Sequence, residues 1–290
     1  PLSRLLIPCG AAALAFTAGH RPLVRGHARA THPPPRRLLA TTAERIGQPI
    51  HETHPHLLGP RELLPGMGPE IFKERRDALM EQLGSESVVI LAASPTQYMS
   101  NDIPYAYRQS TDFLYYTGFQ EPDAVLVIEH DAVRTSRSTL FVRPRDPAKE
   151  QWDGPRAGVE GALKHFRVDK TQPYDLSLLI PFVVDATKNG SVRVCTTDSP
   201  PAALPKALTG VLQNLPLHNI SRTVQCQRVV KSDDEIAVMR KSAAISADAF
   251  CAVMQATQPG KTEAWLFSYL DYECRARGAD RLADPPRGAA

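Results

Sequence analysis

Residues 96–129 read TQYMSNDIPYAYRQSTDFLYYTGFQEPDAVLVIE, and no other stretch of the chain says as much about the fold. A polar segment rich in Tyr, Asn and Asp comes first. Two apolar runs follow, from Phe113 to Phe119 and from Ala124 to Glu129, separated by the turn 120–123. Short apolar runs bounded by turn residues predict buried strands, and strands this close along the chain predict antiparallel pairing.

The sequence on either side extends the same sheet. Ser87 to Ala93 and Thr139 to Val142 predict two more buried strands, and the prolines of residues 143–147 end the second. Residues 70–83 predict a helix that stops at Gly84. Its apolar residues fall along one face: Ile71, Phe72, Leu79, Met80 and Leu83.

A looser α/β portion follows residue 147. Residues 173–182 are weakly helical, residues 192–196 predict a strand, and residues 201–215 predict a helix opened by proline. We therefore expect an α/β fold for residues 67–230, with one mixed β-sheet covered by flanking helices.

The clearest helix signal lies further on, at Ser232-Asp233-Asp234-Glu235. This is a capping box, in which the serine and the glutamate each bind a backbone amide of the first turn. Apolar residues then recur at helical spacing: Ile236, Met239, Ala243, Ala247, Phe250 and Met254. Pro259-Gly260 ends this helix, and Thr262 caps a second helix that runs to Gly278.

Residues 1–43 contain six arginines and neither Asp nor Glu, which is typical of a mitochondrial transit peptide. Two alternatives stay open: a secretory signal with its apolar core at Leu5 to Ala18, and a disordered tail. Residues 44–66 predict a solvated linker. Three histidines fall there (His51, His54 and His56), but a segment without a helix does not favour a metal site.

The net charge of +3 comes from the arginines of the first 43 residues, and the rest of the chain is mildly acidic. Composition therefore gives no case for a nucleic-acid partner. No apolar run approaches the ~18 residues that a membrane span needs, so we expect no membrane insertion. The five cysteines are scattered and form no CxxC pair, which predicts free buried thiols rather than a disulfide framework or zinc site.

Several short motifs lie along residues 50–280. They are Asn101-Asp102, Tyr107-Arg108-Gln109, Asp112-Phe113, Thr117-Gly118-Phe119, Glu121-Pro122, Gln151-Trp152-Asp153-Gly154, Lys231-Ser232, Glu235-Ile236 and Cys274-Arg275-Ala276-Arg277-Gly278-Ala279. Together they resemble the aminopeptidase P family, metallopeptidases that remove an N-terminal residue preceding proline. The resemblance implies that residues 67–230 form the N-terminal domain and that residues 231–290 begin the catalytic "pita-bread" domain.

The resemblance also implies a cofactor, two Mn²⁺ ions that activate a bridging water. In the family, the metal ligands and catalytic histidines follow the element that resembles Arg277-Gly278-Ala279. Beyond that point this sequence has only Asp280 and Asp284 as carboxylates and no histidine. We therefore expect the 290 residues alone to contain no catalytic or metal-binding residue. Residues 233–235 are expected to serve as a helix start, where negative charge is favoured.

Two positions match family residues that line the active site of a neighbouring subunit, Asp102 and Trp152. A carboxylate there can hold the α-ammonium of the substrate, and an indole can form a wall against proline. The alternative is that Asp102 caps a turn and Trp152 fills a gap in the core. Tyr105 and Arg108 are weaker candidates for the same pocket.

The resemblance leaves two main hypotheses. In the first, the chain is part of a mitochondrial Xaa-Pro aminopeptidase that acts on peptides with proline at the second position and forms a dimer through its N-terminal domain. In the second, it is a non-catalytic module that pairs with full-length subunits; an unrelated α/β interaction domain is a third, weaker idea. In each case Phe250, Met254, Trp265 and Leu266 must pack on the preceding domain or remain exposed, and exposure favours association.

Overall fold

A computed structural model describes residues 45–130, 135–187, 193–197, 204, 206–215 and 217–284. In chain order the strands are β1 (Ser87–Ala92), β2 (Tyr98–Ser100), β3 (Ile103–Pro104), β4 (Val125–His130), β5 (Ser136–Val142), β6 (Lys170–Pro173), β7 (Arg193–Thr196) and β8 (Leu217–Asn219). The helices are α1 (Glu70–Leu83), α2 (Thr111–Thr117), α3 (Pro147–Asp153), α4 (Gly158–His165), α5 (Leu176–Ala186), α6 (Lys206–Leu212), α7 (Ser221–Val229), α8 (Asp233–Ala256) and α9 (Glu263–Ala276).

Six strands form a mixed sheet in the order β6-β5-β4-β1-β7-β8. The centre is antiparallel: β4 pairs with β1 on one side and with β5 on the other. Each flank is parallel: β6 pairs with β5 on one side, and on the other β7 pairs with β1 and β8 with β7. The predicted α/β fold with one mixed sheet and flanking helices is confirmed.

The sheet is buried on both faces, which explains why β1 and β4 are almost entirely apolar. On one face, Val89, Leu126 and Leu140 lie in a core cluster with residues of α1, α2, α4 and α7. On the other face, Ile90 and Val127 lie in a second cluster with residues of α5 and α6. Strand residues alternate between the two clusters because successive side chains point to opposite faces.

The expectation of a strand from Phe113 to Phe119 is wrong, because this stretch forms α2. The side chain of Ser110 accepts a hydrogen bond from the backbone amide of Phe113 and so caps the helix, which ends at Gly118 in the left-handed conformation. Phe113, Tyr116 and Thr117 are buried, at the i, i+3 and i+4 spacing of one helical face. The aromatic run has strand propensity, but capping and packing of this face override it.

The expectation of a solvated linker at residues 44–66 is also wrong for the described part. Ile46, Ile50 and Leu63 are buried in the same core cluster as α1 and α2. Apolar residues spaced without helical or strand periodicity anchor this irregular segment, so a pattern search passes over it. Residues 1–43, with the predicted transit peptide, lie outside the described residues.

Several other boundaries differ from the expectations. The predicted strand at 192–196 is β7, although residue 192 lies outside the described ranges. The weak helix at 173–182 starts later and runs longer, as α5, and the helix at 201–215 is described only as the shorter α6. Of the cysteines that the structure describes, Cys195 and Cys274 are buried free thiols as predicted, but Cys226 and Cys251 are exposed.

The capping box at Ser232 is confirmed, and α8 begins directly after it. Thr262 caps α9 as predicted. The two helices contact each other through a small cluster with Ala249, Leu270 and Cys274. Side chains on the remaining surface stay largely exposed, with 55% of Phe250 and 66% of Met254 accessible to solvent. Within the described ranges, no helix combines the length and apolar character that crossing a bilayer requires.

Candidate functional site

Asp102 lies in the turn of a two-stranded hairpin, between β2 and β3. Strands β2 and β3 pair through Tyr98 with Pro104 and Ser100 with Ile103, and an irregularity separates the two pairs. Every residue of both strands is exposed. Within the described part of the chain, the Asp102 side chain takes part in no hydrogen bond or ion pair, so its carboxylate faces solvent.

Trp152 lies in α3, a short helix with no buried residue. Asp146 caps this helix by accepting a hydrogen bond from the backbone amide of Lys149, and Pro147 occupies the first helical position. The Trp152 side chain is 84% exposed, which excludes the alternative that it fills a gap in the core. No hydrogen bond joins Asp102 to Trp152 among the described residues.

The loop that carries the hairpin is held at its base by Gln109. The side-chain amide of this buried residue donates to the carbonyl oxygens of Phe119 (3.1 Å) and Glu121 (2.9 Å). Its Oε1 accepts from the backbone amides of Ser94 (2.8 Å) and Ser110 (2.9 Å). The Gln109 side-chain amide therefore makes all four of its hydrogen bonds at the base of this loop, while the hairpin in the middle of the loop is exposed.

The segment that follows α3 is held by Glu121. Its Oε1 accepts from the backbone amides of Gly47 (2.9 Å) and Ala157 (2.7 Å). Burial raises the pKa of Glu121, and the two amides together with Arg143 and Arg156 offset part of this effect. A side chain at position 47 would disturb this contact, because a Cβ on Gly47 would lie 2.7 Å from the Glu121 side chain.

The weaker candidates take part in a different contact. Arg108 Nη1 donates to the carbonyl of Ala283 (2.9 Å), and Arg281 Nη1 donates to the carbonyl of Tyr107 (3.0 Å). These bonds join the loop before α2 to the segment after α9. Tyr105 is exposed and pairs with Gln97 through its backbone amide only.

Of the acidic residues at the start of α8, Glu235 has structural partners. Glu235 Oε2 accepts from the backbone amide of Ser232 (2.9 Å), while Oε1 lies 3.0 Å from Arg75 Nη2.

Two histidines of residues 44–66 have local partners. His51 Nδ1 lies 2.8 Å from the carbonyl of Leu58, and His54 Nδ1 lies 2.8 Å from Thr53 Oγ1. In the part of the chain that the structure describes, no three His, Cys, Asp or Glu side chains group to hold a metal ion.

Sequence reasoning did not assign a role to Gln109 or Glu121, although both belong to motifs that carry the family resemblance. Their side chains bind backbone groups that lie up to 74 residues away in sequence. A polar residue beside an apolar run is the only local signal, and it is a weak one.

Residues 72–179 match the sequence profile described as aminopeptidase P, N-terminal domain. The chain is 36% identical to mouse Xaa-Pro aminopeptidase 3 over 261 residues, which cover 83% of this chain and 51% of that protein. Residues 72–179 therefore belong to the aminopeptidase P family, as its N-terminal domain.

Two further comparisons, one with a relative and one with a solved structure, give similar coverage. An Arabidopsis thaliana protein named intermediate cleaving peptidase 55, mitochondrial, is 32% identical over 250 residues, covering 84% of this chain and 49% of that protein. The structure of Escherichia coli aminopeptidase P with the inhibitor Pro-Leu matches with a TM-score of 0.65 and 32% identity, covering 73% of this chain and 50% of that chain. The chain thus spans about half the length of the relatives it matches.

Proposed function

We propose that this chain supplies the N-terminal domain of a mitochondrial Xaa-Pro aminopeptidase, which releases an N-terminal residue that precedes proline. The relatives named Xaa-Pro aminopeptidase 3 support the activity, and the mitochondrial relative from Arabidopsis supports the location. The arginine-rich, acid-free start of the sequence is consistent with the same location.

The observation that carries the proposal is the exposure of Asp102 and Trp152 on two surface elements. Neither side chain has a partner among the described residues, so both are accessible to a second subunit. An Asp102 carboxylate placed near a peptide's free α-ammonium forms a charge-assisted hydrogen bond. The Trp152 indole offers a flat apolar surface against which a proline ring packs.

The described residues do not fit the two-metal site that the family uses, since no group of suitable ligands is present among them. We therefore assign no step of the reaction to this part of the chain. Its role is to bind and orient the amino end of a peptide at a site whose metal ions are held elsewhere. We expect the isolated 290-residue polypeptide to bind no Mn²⁺ stoichiometrically and to cleave no Xaa-Pro peptide.

A complementation assay tests this role. The partner enzyme is mouse Xaa-Pro aminopeptidase 3, loaded with Mn²⁺, with its own residues that align with Asp102 and Trp152 replaced. Adding the wild-type chain should lower the KM for an Xaa-Pro peptide by about tenfold, the value of one charge-assisted hydrogen bond. Chains with Asp102→Asn or Trp152→Ala should not. Equal KM values with all three chains would refute the proposed role.

A second candidate function is that of a non-catalytic module that pairs with full-length subunits. The exposed side chains of Phe250 and Met254 on α8 favour it, because adjoining apolar residues on a surface mark a contact region. Binding of the chain to the substituted partner enzyme without any change in KM would support this function over the first.

A further inference from the structure

The loop of residues 118–121, between α2 and β4, is surrounded by three buried polar side chains. Gln48, Gln109 and Glu121 are 5%, 6% and 3% exposed, respectively, and we call these three residues the polar hub. Gln48 donates through Nε2 to the carbonyl of Gly118 (3.1 Å) and accepts at Oε1 from the amide of Gln120 (2.8 Å). Each hub residue binds the loop or belongs to it.

One arm of the hub leads to the hairpin. Gln109 binds the amides of Ser94 and Ser110, which lie at the two ends of the excursion that contains β2 and β3. The Tyr107 hydroxyl adds a bond to the carbonyl of Ser94 (2.9 Å). The strands of the hairpin bury no residue, so the bonds of Gln109 and Tyr107 at its base link Asp102 to the sheet, beside the bonds of Arg108 and Tyr107 to the segment after α9.

The other arm leads to α3. The amide of Ala157 bonds to Glu121, three residues after Gly154 ends the helix. Arg156 ties the same turn to Asp153 through a 3.2 Å ion pair and to the carbonyl of Pro144 (3.4 Å). Because α3 has no buried residue, its position depends on these bonds at both of its ends.

The two arms meet at Glu121. Its backbone carbonyl accepts from Gln109 Nε2, and its side-chain carboxylate accepts from the amide of Ala157. We propose that Gln109 and Glu121 are positioning residues that set where the domain presents Asp102 and Trp152. The inference rests on the proposed function of those two side chains. It adds that their placement comes from the buried amide of Gln109 and the buried carboxylate of Glu121, which meet at one loop, and not from packing of the elements that carry them.

A purely structural role makes a different prediction. If the hub only stabilised the core, its loss would lower the free energy of global unfolding. Amide hydrogen exchange would then become faster throughout the domain. A positioning role predicts a local and divided effect. Loss of the Gln109 bonds should loosen mainly the hairpin, and loss of the Glu121 carboxylate should loosen mainly α3 and the turn after it.

Amide hydrogen exchange of the full 290-residue chain separates these cases. We expect Gln109→Met to raise exchange at residues 98–105, and Glu121→Leu at residues 147–157, by about tenfold more than in the other segment, as for loss of a buried hydrogen bond. Glu121→Gln keeps the Oε1 acceptor and should restore slow exchange. Val183→Ala is the control, because Val183 is fully buried in the cluster on the opposite face of the sheet.

A spectroscopic measurement complements the exchange data. The chain has two tryptophans, so Trp265→Phe leaves Trp152 as the only indole. In that background, Glu121→Leu should lower the fluorescence anisotropy of Trp152, while Glu121→Gln and Val183→Ala should leave it unchanged. If Glu121→Leu does not fold, Glu121→Asp, which withdraws the carboxylate by one methylene, takes its place.

The positioning role is overturned if hub variants and Val183→Ala, compared at equal unfolding free energy, raise exchange uniformly. Failure of the proposed function looks different. In that case the hub variants still loosen their own segments, but neither they nor Asp102→Asn change the KM in the complementation assay. If Asp102→Asn raises that KM while the hub variants loosen nothing, the proposed function stands and the positioning role falls.

Discussion

The ion pair between Arg75 and Glu235 gives the most direct test of how α8 is attached to the preceding domain. Arg75 lies on α1, with its side chain only 8% exposed, and Glu235, 17% exposed, lies in the first turn of α8. The guanidinium stacks 3.9 Å from the ring centroid of Tyr115 and donates through Nη1 to the Tyr115 carbonyl (3.0 Å). Nη2 lies 3.0 Å from Glu235 Oε1 but is not aligned for a hydrogen bond, so the contact is electrostatic.

The strength of the interaction between Arg75 and Glu235 follows from their burial. Two unit charges about 4 Å apart attract by about 4 kcal/mol at an effective dielectric constant of about 20, and desolvation of both groups cancels a large part of this. A double-mutant cycle with Arg75→Met and Glu235→Gln should therefore give a coupling free energy of about 1–2 kcal/mol. Glu235→Gln retains an acceptor for the Ser232 amide, so the capping box is largely preserved.

The assay is equilibrium unfolding in urea, followed by circular dichroism at low ionic strength. Arg167 and Glu70 supply the control, because Glu70 is also on α1 and the pair is closer, at 2.6 Å, yet both side chains are more than half exposed. A double-mutant cycle on the exposed pair of Arg167 and Glu70 should give a coupling free energy below about 1 kcal/mol. The reasoning is refuted if the exposed pair couples as strongly as Arg75 and Glu235, since distance and not burial would then set the energy.

Three further predictions concern single positions. Gly118→Ala should lower the free energy of unfolding in urea by about 2–4 kcal/mol. The reason is that φ is 66° at this position and that the new Cβ would lie 2.7 Å from Leu63 and 2.9 Å from Phe72. A decrease below about 1 kcal/mol would show that these side chains move freely aside. The raised pKa of Glu121 means that protonation favours the folded state, so this residue costs stability as the pH rises from 4.5 through its folded pKa. The stability advantage of the wild type over Glu121→Gln should therefore shrink as the pH rises, and a pH-independent difference between the two unfolding free energies would contradict the raised pKa. Phe250→Lys should reduce concentration-dependent association in sedimentation velocity without lowering the unfolding free energy, because the side chain is exposed; unchanged association would place the contact surface elsewhere.

The elements that were predictable from sequence are those whose signals are local. Helix α1 has the predicted bounds, Glu70–Leu83, because its apolar face lies within the helix and Gly84 follows it directly. The same holds for the capping box of α8. Residues 113–119 were assigned to the wrong class because aromatic residues suit strands, while the deciding burial of Tyr116 comes from distant contacts.

The candidate site was less accessible to sequence reasoning. Asp102 and Trp152 emerged only through the family resemblance, since nothing in composition or periodicity singles out either residue. The polar hub could not be anticipated at all, because most of its hydrogen bonds join segments separated by 10 to 74 residues. The strand order was equally inaccessible, as the parallel pairing of β1 with β7 depends on chain crossovers and not on either strand's own pattern.

The placement of buried polar groups beneath two weakly packed elements has a physical rationale. The hairpin and α3 bury none of their own residues, so apolar packing cannot fix their geometry. Hydrogen bonds can, because they depend on direction as well as distance, and an unmade bond in a buried position is costly. An element fixed beforehand loses less conformational entropy when a partner docks on it. The exposed surface is thereby ordered in advance, at the expense of burying Gln48, Gln109 and Glu121 where apolar side chains would pack more simply.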